Sequence, residues 1–242
     1  MHTNRYGKIS SWESVTALKK VPIIECGESL VDFLELCPRL FWDKPRWKYE
    51  RVQLLRESAA ERLCRAAEAL PQGYRLAVIE GWRPPHIQRR MNQGAMKRIR
   101  EQNPDWSASQ VKRIANRFTA PPSDRVPPPH STGGAVDVVL ADETGAMLDH
   151  TSPYETRNRS AYPFDARRLS DEAREHRQIL KEAMESAGLT NYPSEFWHYS
   201  YGDQGWAYRG GHAHALYGPT EPPGYSPPPG EITDEPLEWA GE

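Results

Sequence analysis

The sequence predicts an α+β domain with a small, largely antiparallel sheet and flanking helices. Three observations carry that expectation. Amphipathic helical stretches occur towards both ends of the body, short apolar runs of strand character lie between them, and proline and glycine clusters cut the chain at their borders. With 22 prolines in 242 residues, a simple helical bundle is excluded, because proline interrupts helix interiors.

In chain order, Val52, Leu55, Ala59, Leu63, Ala66 and Leu70 form one stripe at helical spacing, which predicts a helix from Glu50 to Leu70, ended by Pro71-Gln72-Gly73. Tyr74 to Glu80 reads YRLAVIE, a buried strand, and Gly81-Trp82-Arg83-Pro84-Pro85 breaks it sharply. Helices are expected over His86 to Arg100 and Ser107 to Phe118. In the second, Ser107 is the N-cap and Val111, Ile114, Ala115 and Phe118 form the apolar face. Pro121-Pro122 and Pro127-Pro128-Pro129 bracket a rigid extended loop; after Gly133-Gly134, Ala135 to Leu140 (AVDVVL) is a strand, and Asp142 to Gly145 a turn. Ser170 to Ala187 is a last amphipathic helix with Ala173, Leu180, Ala183, Met184 and Ala187 inward, and Gly188 closes it. Glu195 to Tyr201 (EFWHYSY) is expected to be a final aromatic strand, and no internal repeat is present.

The segment Pro219 to Glu242 holds seven prolines, six acids and no lysine or arginine, the composition of an extended or disordered tail, with docking across the body as the weaker alternative. Residues 1–218 therefore form a single domain with 31 bases against 27 acids, mildly basic behind a net charge of -2. That balance gives no reason to expect nucleic-acid binding. No apolar run is long enough to span a membrane, and the opening residues lead into a polar stretch without an apolar signal core, so a cytoplasmic protein is expected. Cys26, Cys37 and Cys64 are an odd set without CxxC spacing, read as idle reduced thiols.

Of the eight histidines, His130 and His198 have distinctive surroundings: the first lies between a proline triplet and Ser131-Thr132-Gly133-Gly134-Ala135-Val136-Asp137, the second in Glu195-Phe196-Trp197-His198. Taken singly, a histidine beside glycine or in an aromatic strand is more often structural than ligating. Asp137 in an apolar strand is more telling, since a buried carboxylate needs a partner. Imidazole and carboxylate suit zinc, and three protein ligands with one open position make a catalytic site, a set that His130, Asp137 and His198 would supply. The Gly133-Gly134 pair would let the loop fold back so that His130 and Asp137 converge. Glu195 and His198 are three apart, so serving one site requires Glu195 to lie on the loop before the strand.

Glu80-Gly81-Trp82-Arg83-Pro84, the His130 to Asp137 stretch, and Glu195-Phe196-Trp197-His198 together resemble the three ordered signatures of the zinc D-alanyl-D-alanine dipeptidases. The resemblance spans roughly Val21 to Pro219. It implies the α+β fold shared with D,D-carboxypeptidases, L-alanyl-D-glutamate endopeptidases and the hedgehog signalling domain, and one Zn2+ per chain held by His130, Asp137 and His198. It further implies Glu195 as catalytic base and acid, Arg83 facing the oxyanion, and Asp165 of Phe164-Asp165 receiving the substrate ammonium; the local alternative for Asp165 is a cap or turn residue. The substrate implied is a small D-amino-acid dipeptide, D-Ala-D-Ala or a close cell-wall relative. Two departures stand out: Pro128 replaces the family's serine two residues before the first zinc histidine, and Phe196 replaces a tryptophan. For the family's N-terminal substrate tyrosine, Tyr49 or residues near Phe41-Trp42 are the candidates.

Three other readings keep the same fold: a D,D-carboxypeptidase, an L-alanyl-D-glutamate endopeptidase, and a zinc-holding interaction module without catalysis. Glu195 and Arg83 speak against the last, because a binding module has no need of a base and a cation beside its metal.

Overall fold

The structure is a computed structural model of the chain, and it describes residues 3–9, 13–116, 119–121, 123, 125–150 and 162–240. A β-hairpin of β1 (Thr3–Asn4) and β2 (Gly7–Lys8) is followed by α1 (Val15–Leu18), β3 (Leu30–Asp32) and α2 (Phe33–Leu36). Next come β4 (Phe41–Trp42), β5 (Leu54–Arg56), α3 (Glu57–Ala69), β6 (Arg75–Glu80), α4 (Pro85–Gln102) and α5 (Ala108–Ala115). A 3-10 helix (Pro129–Thr132) precedes β7 (Ala135–Ala141), α6 (Asp171–Ser186), β8 (Thr190–Asn191), β9 (His198–Ser200) and α7 (Gln204–Gly210).

The main sheet has the order β4-β6-β7-β9-β8. Only the β4–β6 pair is parallel; β6–β7, β7–β9 and β8–β9 are antiparallel. Strand β7 is buried along its whole length, as a run that is apolar except at Asp137 requires. Val136, Val138 and Leu140 join Leu76 and Val78 on the face covered by α3 and α6, through Leu63, Ala66, Leu180 and Met184. Val139 and Ala141 join Ala77 and Ile79 on the other face, against Phe196 and Trp197.

Local chemistry sets the helix borders. Pro85 stands in the first turn of α4, where its missing N–H costs nothing. Ser107 and Gln110 form a reciprocal capping box on α5. The Ser170 hydroxyl accepts from the Ala173 N–H at the start of α6, and Gly188 follows its end at φ 89°.

Two expectations are corrected. The helix predicted from Glu50 begins only at Glu57, because Leu54–Arg56 pairs antiparallel with Leu30–Asp32 and the Arg56 N–H donates to Gly133 O at 2.8 Å. Leu55 is buried in either conformation, so the stripe could not separate them. The final strand is His198–Ser200 rather than Glu195 to Tyr201: the Asn191 amide donates to the carbonyls of Glu195, Phe196 and His198 and holds 195–197 as a turn. Phe118 and Pro122 lie outside the described residues. Among the described residues no helix is long and apolar enough to cross a membrane.

Residues 219–240 contain no helix or strand and run over the body. Leu237 is 3% exposed, packed with Ile87, Met91 and Trp47. The Trp82 indole N–H donates to Thr220 O, and the Tyr225 ring meets Trp82 edge-on.

Candidate active site

Sheet register assembles the centre of the site. Asp137 is the cross-strand partner of Glu80 on one side and of His198 on the other, so β6, β7 and β9 each contribute one polar residue to a single row. A register irregularity between Val78 and Glu80 lies at this end of the β6–β7 ladder. His130 arrives from the 3-10 helix, which Gly133 ends in the left-handed conformation at φ 71°. A Cβ on Gly134 would stand 2.4 Å from the backbone oxygen of Tyr201, so only glycine permits this close return to β7.

His130 Nε2 lies 3.3 Å and His198 Nδ1 2.9 Å from Asp137 Oδ1, and all three side chains are buried. The nitrogen and oxygen donors of the three lie within 4.8 Å of one another. Tetrahedral zinc with bonds of about 2.0–2.1 Å would hold neighbouring ligand atoms roughly 3.3 Å apart, so the set fits such an ion. His130 Nδ1 is 2.8 Å from Gly81 O; donating there turns the Nε2 lone pair towards Asp137. Burial alone would raise the Asp137 pKa, but His130 and His198 outweigh it and keep the carboxylate ionised far into acid. Burial lowers the His130 pKa against the pull of Asp137, whereas at His198 the Asp137 contact overcomes burial and raises it.

Glu195 sits in the turn before β9, its N–H bonded to Tyr192 O at 2.9 Å and its carbonyl accepting from the His198 N–H at 3.2 Å. Loss of solvent pushes its carboxyl up to about 7; His198 and Arg83 pull it down and Asp137 adds repulsion. Arg83 is held from several sides. Its guanidinium is 3.3 Å from Glu80 Oε2, 3.9 Å from Asp137 Oδ2 and donates to Gln88 Oε1 at 2.8 Å, while its backbone N–H donates to His130 O. Tyr49 in turn donates to the other Glu80 oxygen.

These groups open into one cleft of about 260 Å³ whose lining includes His130, Asp137, His198, Glu195 and Arg83. Asp165 is exposed and is not among the described residues that line it. Tyr49 is turned to Glu80 and is likewise off the lining, Trp42 lies under Arg51, and the Pro128 carbonyl accepts from the Ser131 N–H and hydroxyl. Sequence reasoning passed over Gln88, Trp47 and Trp239, all on the cleft wall. Gln88 stands five residues after Arg83, on the first turn of the helix that follows it, and that spacing was the available signal. The two tryptophans meet only through tertiary structure.

A buried His-Asp-His set beside a carboxyl and a guanidinium in one cleft is the arrangement of a metallopeptidase, and the similarities to known proteins agree on that class. The sequence model of the D-ala-D-ala dipeptidase family, peptidase family M15, matches residues 42–215, and the chain belongs to this family. It is 27% identical over 239 residues to a D-alanyl-D-alanine dipeptidase of Synechocystis sp., covering 83% of this chain and 95% of that protein. A D-alanyl-D-alanine dipeptidase of Enterococcus faecium is 27% identical over 150 residues, 60% of this chain and 71% of that protein. The solved structure of the LdcB LD-carboxypeptidase overlays with a TM-score of 0.40 at 15% identity, covering 86% of this chain and 89% of that chain.

Proposed function

We propose that this chain is a zinc-dependent dipeptidase hydrolysing D-Ala-D-Ala or a closely related cell-wall dipeptide. The observation that carries the reading is the meeting of His130, Asp137, His198, Glu195 and Arg83 in one cleft. The names of both curated relatives support the substrate class.

His130, Asp137 and His198 would hold the zinc. When bound, it supplies a Lewis acid that polarises the scissile carbonyl and makes water acidic enough to react near neutral pH. The Glu195 carboxylate takes the proton from the attacking water and passes it to the leaving amine. The Arg83 guanidinium donates to the carbonyl oxygen as that oxygen gains charge, an interaction strongest in the transition state. Glu80 and Gln88 keep the guanidinium aimed, so less ordering is needed when substrate enters. Asp165 is exposed and outside the described cleft lining; its role here is the one the family resemblance implies, receiving the substrate ammonium, apart from the steps above.

The test is to incubate zinc-loaded protein with D-Ala-D-Ala and with N-acylated peptides ending in D-Ala-D-Ala, with and without chelator. Chelator-sensitive release of D-alanine from the free dipeptide is expected. Release from the acylated peptides alone would transfer the chain to the carboxypeptidases, and release from neither would overturn the reading.

A further inference from the structure

The C-terminal segment does more than cover the surface. Trp239 lines the cleft that holds the metal ligands, and so does Trp47. The two indoles meet edge to face, with centroids 5.1 Å apart and planes at 89°. Around them the chain segments pair as an antiparallel bridge: the Lys48 N–H donates to Glu238 O and the Ala240 N–H to Arg46 O, each at 2.9 Å, and Lys48 and Glu238 form an ion pair.

The segment is fastened to α4. Leu237 is buried against Ile87 and Met91, and Arg90 donates to the carbonyls of Glu231 and Glu235. His86 and the Glu231 carboxylate are 3.2 Å apart. Four anchors on a run of ten residues hold Trp239 in place more firmly than an acidic, proline-rich terminus usually is.

Helix α4 sets a scale for what this wall does. Gln88, Met91, Ala95 and Arg98 face the cleft as one stripe, and Gln88 holds the catalytic Arg83. At about 1.5 Å of rise per residue, Met91 stands roughly 4.5 Å and Arg98 roughly 15 Å further along the axis than Gln88. Trp47 covers this interval, packed with Met91 and Leu237 and with the Arg98 guanidinium 5.8 Å from its ring centre. An extended dipeptide is about 7 Å long. The aromatic pair flanks the stretch of α4 from Met91 to Arg98, beyond the Gln88 that holds Arg83.

We infer that the segment Glu231–Ala240 is a specificity-determining wall of the cleft, and that Trp239 limits the length of peptide admitted along α4. The inference rests on the peptidase reading of the cleft and assigns the limit to a part of the chain outside residues 42–215 that the family match covers. The wall acts by shape: the backbone bridge fixes where the Trp239 side chain starts, and the indole cannot swing aside without losing its contact with the second indole.

The experiment measures binding by calorimetry, in full-length zinc-loaded protein carrying Glu195→Gln to stop turnover. The probes are unblocked D-alanine peptides of two, three and four residues, compared across the parent, Trp239→Phe and Trp239→Ala. The expected result is a parent that prefers the dipeptide, an alanine variant whose preference shifts towards the longer peptides by at least about fivefold, and a phenylalanine variant in between. Zinc content and thermal melting are recorded alongside. Trp239→Leu, which keeps an apolar side chain against Trp47, replaces the alanine variant if that one does not fold. An unchanged length preference in a folded, zinc-loaded variant overturns the inference, as does a parent that binds none of the peptides. If the protein without Glu195→Gln binds the dipeptide but does not hydrolyse it, the proposed activity fails while the length limit stands or falls on the binding series.

Discussion

The floor of the cleft, where Asp137 pairs with Glu80 and His198 across three strands, and its aromatic wall, where Trp47 meets Trp239, differ in what fixes them. The floor is set by backbone register in a buried sheet, so its groups can shift only if the ladder shifts. The wall is set by a ring pair, two backbone hydrogen bonds between irregular segments, and side-chain anchors to α4. A reaction centre needs its groups within a fraction of an ångström, and a sheet supplies that; a boundary on substrate size needs only bulk in the right place. Substitutions in the floor should therefore strike turnover, and those in the wall should strike selectivity.

The largest effect expected comes from Glu195→Gln. It keeps the shape of the side chain and removes the proton acceptor, so turnover should fall by about 10²–10⁴-fold while zinc content stays at the parent value. Equal loss of zinc would mean that Glu195 belongs to the metal shell instead. The same group fixes the acid limb of the pH profile. Desolvation, partly offset by His198 and Arg83, holds the carboxyl at about 7, and the positive charge of a bound metal must draw it lower. The base works only when deprotonated, so kcat/KM should decline as pH falls through a pKa below 7, and Glu195→Gln should remove that limb.

A smaller loss is expected one step out. Arg83→Ala should cost about 10²–10³-fold in kcat, as for a single oxyanion donor, with a lesser change in KM. Glu80→Gln leaves the cation in place but weakens one of its holders, so a loss of roughly 3- to 10-fold in kcat is expected, because Gln88 still grips the guanidinium. Steady-state kinetics on both variants decide this. If Glu80→Gln were as damaging as Arg83→Ala, the register row rather than the guanidinium would be the working unit.

The same contrast explains what the sequence disclosed. Strands β6 and β7 and helices α4, α5 and α6 were legible because each is long enough to show a period or carries its own border residue: AVDVVL for β7, Ser107 for α5, Gly188 for α6. The meeting of His130 with Asp137 could be anticipated from the glycine pair, and Gly133 and Gly134 indeed make that return. Strand β5 was misread because three residues cannot display alternation, and Leu55 satisfies a helical stripe equally well. Glu80 was visible only as the head of a motif, since its pairing with Asp137 is a matter of register between strands more than fifty residues apart. Nothing in the composition of residues 219–242 marks Leu237 and Trp239 for docking, because their partners on α4 and beside Trp47 are distant in the chain.

The least effect on neutral-pH activity, and a sharper test of what keeps the floor rigid, is expected at His150. This ring is fully buried and stacks on Phe196 at 5.4 Å and 12°, two residues before His198. Its Nε2 accepts from the Leu140 N–H of β7 and its Nδ1 donates to Leu148 O, so the neutral tautomer is required at both ends. Burial lowers its pKa to about 3, with His176 and Arg177 opposing a further charge. A histidine depressed in the folded state gives stability that is present above its unfolded pKa of about 6.5 and is lost as pH falls towards the folded value. The parent should therefore lose up to about 1.4 kcal/mol per pH unit to this group as pH falls through that window. His150→Gln can keep one donor and one acceptor but has no proton to gain, so it should be less stable at pH 7 and show a flatter decline. Chemical denaturation of parent and variant at a series of pH values gives the difference directly, with the titration of the metal ligands common to both. Parallel declines would show that His150 does not carry the acid sensitivity, and that the floor loosens through its own ligands instead.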